Sequence, residues 1–380
     1  MIDFYNEQVG LYGLTCLAAG SGGEKKAKEL IAMDAKKIKW TRGLIGSLSR
    51  NKLGQFDGEK IGVGLYRPFS KLWVYYDRQF NEYFKEKLYP TAHHENLAIM
   101  VPTVGISKDF SCLMAGTLPD LNILQGTQCF PLYYYEKAKA ATTTHQTRGL
   151  LDELENSSTE EVDSDGFTRK DAITDVALTD YRIHYQDDAI TKEDMFYAIY
   201  GILHAPDYRT RYANDLKKML PRIPMLADKE AFWAFSRAGR QLADLHLNYE
   251  SLTPYEGLEV IIKNNAKSLP PFSLYHVEKM AFAKLTGRER DKSIIEYNPH
   301  ITIKGIPVEA YDYVVNGKPA IEWVMERYRI VVDKDSGIKN DPNDWCREHD
   351  DPEYIFRLVQ QVVGVSVETV RIVSGLAEIM

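Results

Sequence analysis

Apolar residues recur at helical spacing at the start of the chain, at strand-like spacing through its first third, and at helical spacing again through most of its second half. Ala27, Leu30, Ile31 and Ala35, behind Gly22-Gly23, predict a helix over 23–36, and a further helix begins near Thr41. Short runs rich in β-branched and aromatic residues follow between turn formers, at Leu72–Tyr76, Leu97–Val101, Ser111–Met114 and Cys129–Tyr135. Gly62-Val63-Gly64 belongs to another strand, since it lacks the third glycine and the helix of a dinucleotide site. From Glu136 to Lys170 the periodicity fails, and the polar, acidic stretch around Asn156–Glu161 cannot bury enough surface to order a core.

Helical signals then take over. They run from Asp171 to Tyr185, from Thr191 with its Thr-x-x-acid start, from Asp207 to Leu220 and from Asp228 to Asn248. Ile294–Tyr297 and His300–Lys304 read as a strand pair across Asn298-Pro299, followed by helices at Pro307–Asn316, Ala320–Tyr328 and Pro352–Gly375. The expected class is α+β: an N-terminal mixed α/β domain with a mainly antiparallel or mixed sheet (1–135), an acidic loop or linker (136–170), and a predominantly helical part with a short β-hairpin (171–380).

Composition leaves this outline intact. The 380 residues are 44% hydrophobic and 27% charged, ordinary values for a multi-part soluble protein. No run approaches the roughly 18 apolar residues of a membrane helix, and the expected location is cytoplasmic. Cys16, Cys112, Cys129 and Cys346 are scattered, so neither a zinc ribbon nor a disulfide framework is indicated. A net charge of −7 argues against a protein that coats nucleic acid indiscriminately. Its distribution changes the picture: Glu24 to Lys52 holds nine basic against three acidic residues, a local excess of +6, while acid collects at 152–165 and beyond Asp333. Such segregation permits one cationic face on an acidic molecule, although a solvated helix face has the same signature.

Catalytic signatures are missing. Gly20–Lys26 lacks phosphate-loop spacing and reads as a flexible lead-in to a helix, and His93-His94 has no ligand spacing around it and reads as a surface turn. There is no nucleophile elbow and no aromatic-ended Asn-Pro-Pro loop to hold a flipped adenine. No catalytic or metal-binding residue is assigned.

The run Tyr66-Arg67-Pro68-Phe69 with Tyr75-Tyr76-Asp77-Arg78 resembles the segment opening the specificity region of Type ISP restriction-modification enzymes. Further matching segments follow in order: Leu124–Tyr133, Thr191–Tyr197 with Tyr200–His204, Leu220–Pro224, Ala243–Glu250, Tyr311–Gly317, and Asp333–Ile338 through Asn340–Trp345. The resemblance implies a DNA target-recognition module, without activity of its own, of a larger polypeptide that carries a nuclease, an ATP-driven translocase and an N6-adenine methyltransferase. S-adenosylmethionine, ATP and magnesium would serve those parts, and this chain would hold no cofactor. Its partners would be double-stranded DNA and those neighbouring domains. An alternative is an interdomain packing module with little DNA affinity alone.

DNA recognition needs cations that fix the protein on phosphates and side chains that reach base edges. Lys36, Lys37, Lys39, Arg42, Arg50 and Lys52 are candidates for the phosphate clamp. Arg67, Lys71 and Arg78 could reach guanine or phosphate, with an Arg67–Asp77 ion pair as the structural alternative. The polar turns holding Ser107, Lys108, Gln125, Thr127 and Gln128 are candidates for base contact, or are ordinary turn chemistry. Arg209, Arg211, Lys218 and Arg222, with Lys217, could grip the duplex from a second side, or lie on a solvated helix.

Overall fold

The computed structural model describes residues 1–19, 22–138 and 161–379. Three helices, α1 (Ile2–Ala19), α2 (Glu24–Leu30) and α3 (Arg42–Ser49), close a small core of their own from Tyr5, Val9, Tyr12, Ala27, Ile31, Ile38 and Leu48. The helix expected over 23–36 ends at Leu30. Ala32 donates its backbone N–H to the Gln8 side chain and accepts from the Trp40 indole, while Asp34 caps a turn at Lys36, so local side-chain bonds outcompete the helix.

β1 (Ile61–Arg67) and β2 (Ser70–Tyr75) form an antiparallel hairpin, and β5 (Leu118–Pro119) joins β1 in parallel. The hairpin turn holds Phe69 at φ 57° and drives its ring into the main core, edge-on to Tyr249 at 5.2 Å and Tyr313 at 6.3 Å. Burial of a large ring offsets a backbone conformation that costs about 1–3 kcal/mol.

β3 (Ala98–Val101), β4 (Leu113–Ala115) and β6 (Gln128–Pro131) make a second antiparallel sheet. Every residue of β3 is buried, as its continuous apolar run requires: Met100 enters one core, while Ile99 and Val101 enter the other. The strand read at Cys129–Tyr135 is two strands, broken at Leu132, because β7 (Tyr133–Lys137) leaves β6 to pair with β8 (Phe167–Asp171). The stretch 136–170 therefore begins and ends inside a β-ladder, and its Asn156–Glu161 portion lies outside the described residues.

Both large cores combine strands from the first part with helices from the second. One is organised by α4 (Asp175–Tyr185), α5 (Lys192–His204), α6 (Pro206–Arg211) and α7 (Lys229–Leu247). The helix expected over 207–220 breaks after Arg211. Thr191 and Asp194 form the capping box that the Thr-x-x-acid spacing predicts. The other core packs β9 (Glu259–Ile262), β10 (Ala281–Lys284), β11 (Arg290–Glu296) and β12 (Ile301–Lys304) against α8 (Ala320–Arg327), α9 (Asn343–Glu348) and α10 (Tyr354–Ser374). The expected hairpin is thus the centre of a four-stranded antiparallel sheet.

No helix spans Pro307–Asn316. A single turn at Val308–Tyr311 leads into a hairpin of β13 (Val314–Val315) and β14 (Lys318–Pro319). Asn316-Gly317, at φ 49° and 73°, forms the tight turn that this dipeptide favours between strands. Among the described residues, no helix is long and apolar enough to cross a membrane.

Candidate nucleic-acid interface

Local chemistry assembles a basic cleft between α3 and the turn after β2. Asp77 Oδ1 accepts from the backbone N–H of Gln79 at 2.7 Å and of Phe80 at 3.3 Å, its other oxygen pairs with Lys60 at 2.8 Å, and Asn81 accepts from the Asp77 N–H. This Asx turn sends Phe80 back edge-on to Tyr5 and leaves Arg78, Gln79 and Asn81 facing α3. Asn6 clamps the Gly54 backbone through two 2.8 Å bonds, and the Lys52 carbonyl accepts from Tyr5 and Gln79, so the segment carrying Lys52 is fixed.

The resulting cleft holds about 570 Å³ and is lined by Arg42, Arg50, Lys52 and Arg78 against Glu24 and Glu82. Gly43 and Gly46 leave the α3 wall without side chains there. Among the described residues, Arg42, Arg50 and Lys52 have no carboxylate within ion-pair distance. Arg78 pairs with Glu86 at 2.7 Å, but both side chains are exposed, a pairing worth little in water. Four of the eighteen candidates thus converge from separate sequence positions. The reading from sequence missed Gln79, Asn81 and Tyr83 on the opposite wall. The signal was present, because Asp-x-x-x-Asn after an aromatic strand is turn chemistry.

Lys36, Lys37 and Lys39 are exposed but lie elsewhere in their surroundings: Lys36 packs by Gly337, Lys37 sits over the Phe4 ring, and Lys39 lies near Asp333, whose carboxyl is held below the usual range first by the Ser336 hydrogen bonds and least by the Lys39 charge. The acidic turn at 333–337 therefore partly answers this patch. Arg67 does not pair with Asp77. It bonds Asp120 at 2.7 Å, since Lys60 occupies Asp77. Lys71 pairs with Glu250, which also accepts from the Tyr354 hydroxyl at 2.7 Å, and so pins β2 to α10.

In the polar turns, Gln125 Oε1 accepts from the N–H of Ser107 and of Lys108 while its amide donates to Ser107 Oγ, so both ends of Gln125 serve the turn. Lys108 Nζ donates to the Asn316 carbonyl at 2.9 Å. Thr127, 8% exposed, caps Leu124 with its hydroxyl and is turned inward rather than toward a ligand, whereas Gln128 is exposed. Arg211, Lys218 and Arg222 are exposed, and Arg209 is half-buried with its Nε donating to the Leu203 carbonyl at 2.7 Å.

A buried polar cluster lies between α5, α7 and α10. His204 Nδ1 donates to the Tyr200 carbonyl at 2.9 Å; His246 bonds Tyr200 Oη at 2.6 Å and Thr369 Oγ1 at 3.0 Å. Burial first, and then the Arg209 charge, push both imidazoles down, His246 to about 3. Both rings are therefore neutral in the native state across ordinary pH. Unfolded imidazoles bind protons below about pH 6.5, so full stability is present above that value. As pH falls from there, the unfolded chain gains protons that the folded chain refuses, and stability drops by up to about 1.4 kcal/mol per pH unit per histidine, for His246 down toward pH 3. Urea denaturation at stepped pH should show this slope, and His246→Gln should remove about one proton's worth of it.

A cationic cleft and polar turns thus lie on one chain, and no cluster of His, Cys, Asp and Glu able to hold a metal ion occurs among the described residues. The chain matches the Type ISP C-terminal specificity domain over residues 1–358 and belongs to that family. No curated protein matches it. Its fold is similar to that of a nuclease-deletion mutant of the Type ISP restriction-modification enzyme LlaGI, solved with a DNA substrate mimic (34% identity, TM-score 0.77). It is also similar to the ATP-dependent Type ISP enzyme LlaBIII bound to DNA (33%, 0.77) and to DrdV in a DNA complex (28%, 0.76). The whole chain is covered in each comparison, and it spans 30%, 21% and 33% of those chains respectively.

Proposed function

We propose that this chain is a DNA target-recognition module, which holds a duplex for methyltransferase and translocase domains and performs no chemistry itself. The observation that carries the reading is the cleft of Arg42, Arg50, Lys52 and Arg78, three of them without a carboxylate partner among the described residues, on a chain whose net charge is −7. Unpaired cations converging on one concave surface suit phosphates, because each neutralised phosphate releases counterions. That the LlaGI, LlaBIII and DrdV structures each contain DNA or its mimic supports this assignment. Gln128 and the exposed rim of the 103–108 turn are the base-reading candidates this geometry leaves open. On this proposal the module works in the cytoplasm, and S-adenosylmethionine, ATP and magnesium belong to the neighbouring domains.

A second role accompanies the first. The outer face of α1 exposes Leu11, Leu14 and Leu17, the last by 84%, an apolar stripe suited to packing on a neighbouring domain of the same polypeptide.

Affinity for random duplex DNA, measured at two salt concentrations, tests the phosphate clamp. Four phosphate contacts give a slope near −3.6 in log affinity against log salt, so a fourfold rise in salt should weaken binding about a hundredfold. Absence of binding at low salt would overturn the reading.

A further inference from the structure

A second cleft, of about 770 Å³, opens between α6, α10 and the β13–β14 hairpin, and is lined in part by Phe110, Arg209, Lys217, Tyr313, Val370 and Val373. Its volume falls in the range of small-molecule sites, as does its mixture of apolar wall and few polar groups. Arg209 is the distinctive element. The guanidinium is half-buried, bonds the Leu203 carbonyl and the Cys112 thiol, lies over the Phe110 ring, and has no carboxylate partner among the described residues.

A cation withdrawn from water without a counter-charge is costly, and an anion in the cleft would offset that cost. Lys217 adds a second cation there, paired with Asp109, whose side chain is 95% exposed. The imidazole of His204, at the inner end, is neutral and leaves the anion's charge to Arg209 and Lys217. Tyr313, 5% exposed, has a hydroxyl with no hydrogen-bond partner among the described residues. Buried polar groups are rarely left so. Asp312 on the same cleft is an acceptor for an amine, which a bare inorganic anion does not carry.

We infer that this cleft binds a single nucleotide, its phosphate on Arg209 and Lys217 and its base against Phe110, Val370 and Val373. The nucleotide is either free in solution or presented by DNA as an unpaired residue; the DNA source alone rests on the recognition role proposed above. None of the basic-cleft cations lines it, and the two sites fail separately.

The test is calorimetric titration of the full chain with dAMP, with inorganic phosphate, and with duplexes that are fully paired or carry one bulged nucleotide. Expected are dAMP binding about tenfold or more tighter than phosphate, a further loss of about tenfold or more in Arg209→Met, and near-retention in Arg209→Lys. Hydrogen exchange on the unmodified chain should show dAMP protecting 203–217 and 309–317, a readout that does not depend on any variant folding. Arg50→Glu should leave dAMP binding unchanged while weakening duplex binding. A bulged duplex that binds more tightly than the paired one and displaces dAMP identifies DNA as the source; equal duplex affinities with dAMP still bound identify free nucleotide. Absent heat and absent protection, phosphate binding as tightly as dAMP, or a folded Arg209→Met that binds dAMP normally would each overturn the inference. Duplex binding that persists through any of these leaves the recognition role standing.

Discussion

Replacing Arg42, Arg50 and Lys52 together with glutamate should reduce affinity for duplex DNA at least about a hundredfold and flatten its salt dependence by nearly three units of slope. The size of the effect follows from what these side chains do without DNA, which is little. Among the described residues none forms an ion pair, so their charge is available to phosphate and its reversal adds repulsion where attraction stood. Stability should change little. A glutamate at position 42 sits in the first turn of α3, where the helix dipole favours an acid, and one at position 50 follows the last turn, where it is disfavoured by a similar few tenths of a kcal/mol. Reversal of Lys36, Lys37 and Lys39 serves as the comparison. Because Lys36 packs by Gly337 and Lys39 lies near Asp333, part of that charge is already answered within the molecule, and the loss of affinity should be clearly smaller. Equal losses from the two triples, in filter-binding or anisotropy titrations with unchanged thermal unfolding, would move the phosphate clamp away from the cleft.

The contrast between the two lysine-arginine groups shows what was legible in the sequence. The excess of basic charge from Glu24 to Lys52 marked the right segment, but a run of charges carries no information about which members face a carboxylate from elsewhere. Lys39 lies near Asp333 and Lys71 pairs with Glu250, the latter 179 residues away, relations that spacing cannot express. Elements with strong local signals were readable: the Thr191–Asp194 capping box, the long amphipathic α7 and α10, and the β11–β12 pair. Those that failed had local competitors. Asp34 and Gln8 end α2 early, and Asn316-Gly317 converts a supposed helix end into a hairpin. The Asn-Gly dipeptide between Val315 and Lys318 was the available clue. The boundary expected near 136–170 obscured a shared interior, since β3 feeds both large cores and each core takes helices from beyond residue 171. A buried strand reads as apolar from sequence, but which partners cover its two faces is a tertiary fact.

Within that shared interior, the crossing of α5 and α7 leaves no room for a side chain at its glycines. A Cβ placed on Gly239 would stand 1.8 Å from the Tyr197 carbonyl oxygen and 3.0 Å from the Gly201 backbone nitrogen, and one on Gly201 would stand 2.5 Å from the Phe235 carbonyl. Backbone meets backbone here, so no flexible side chain can give way. Gly239→Ala must therefore separate two helices whose buried faces carry Phe196, Tyr200, Phe232, Phe235 and Leu242. We expect a loss of about 3 kcal/mol or more, the upper range for overpacking, seen as a drop in unfolding temperature of several degrees. The displacement would also disturb the Tyr200–His246 bond, because its two residues sit on the separating helices. Gly10→Ala supplies the opposite sign. Gly10 lies in α1 with nothing within 4 Å of an added Cβ, so the substitution gains helix propensity and should stabilise by about 0.5–1 kcal/mol. Two glycine-to-alanine changes in helices would then move stability in opposite directions, with the difference set by what stands opposite the missing Cβ. Indistinguishable unfolding curves for Gly239→Ala and the parent chain would refute the close crossing.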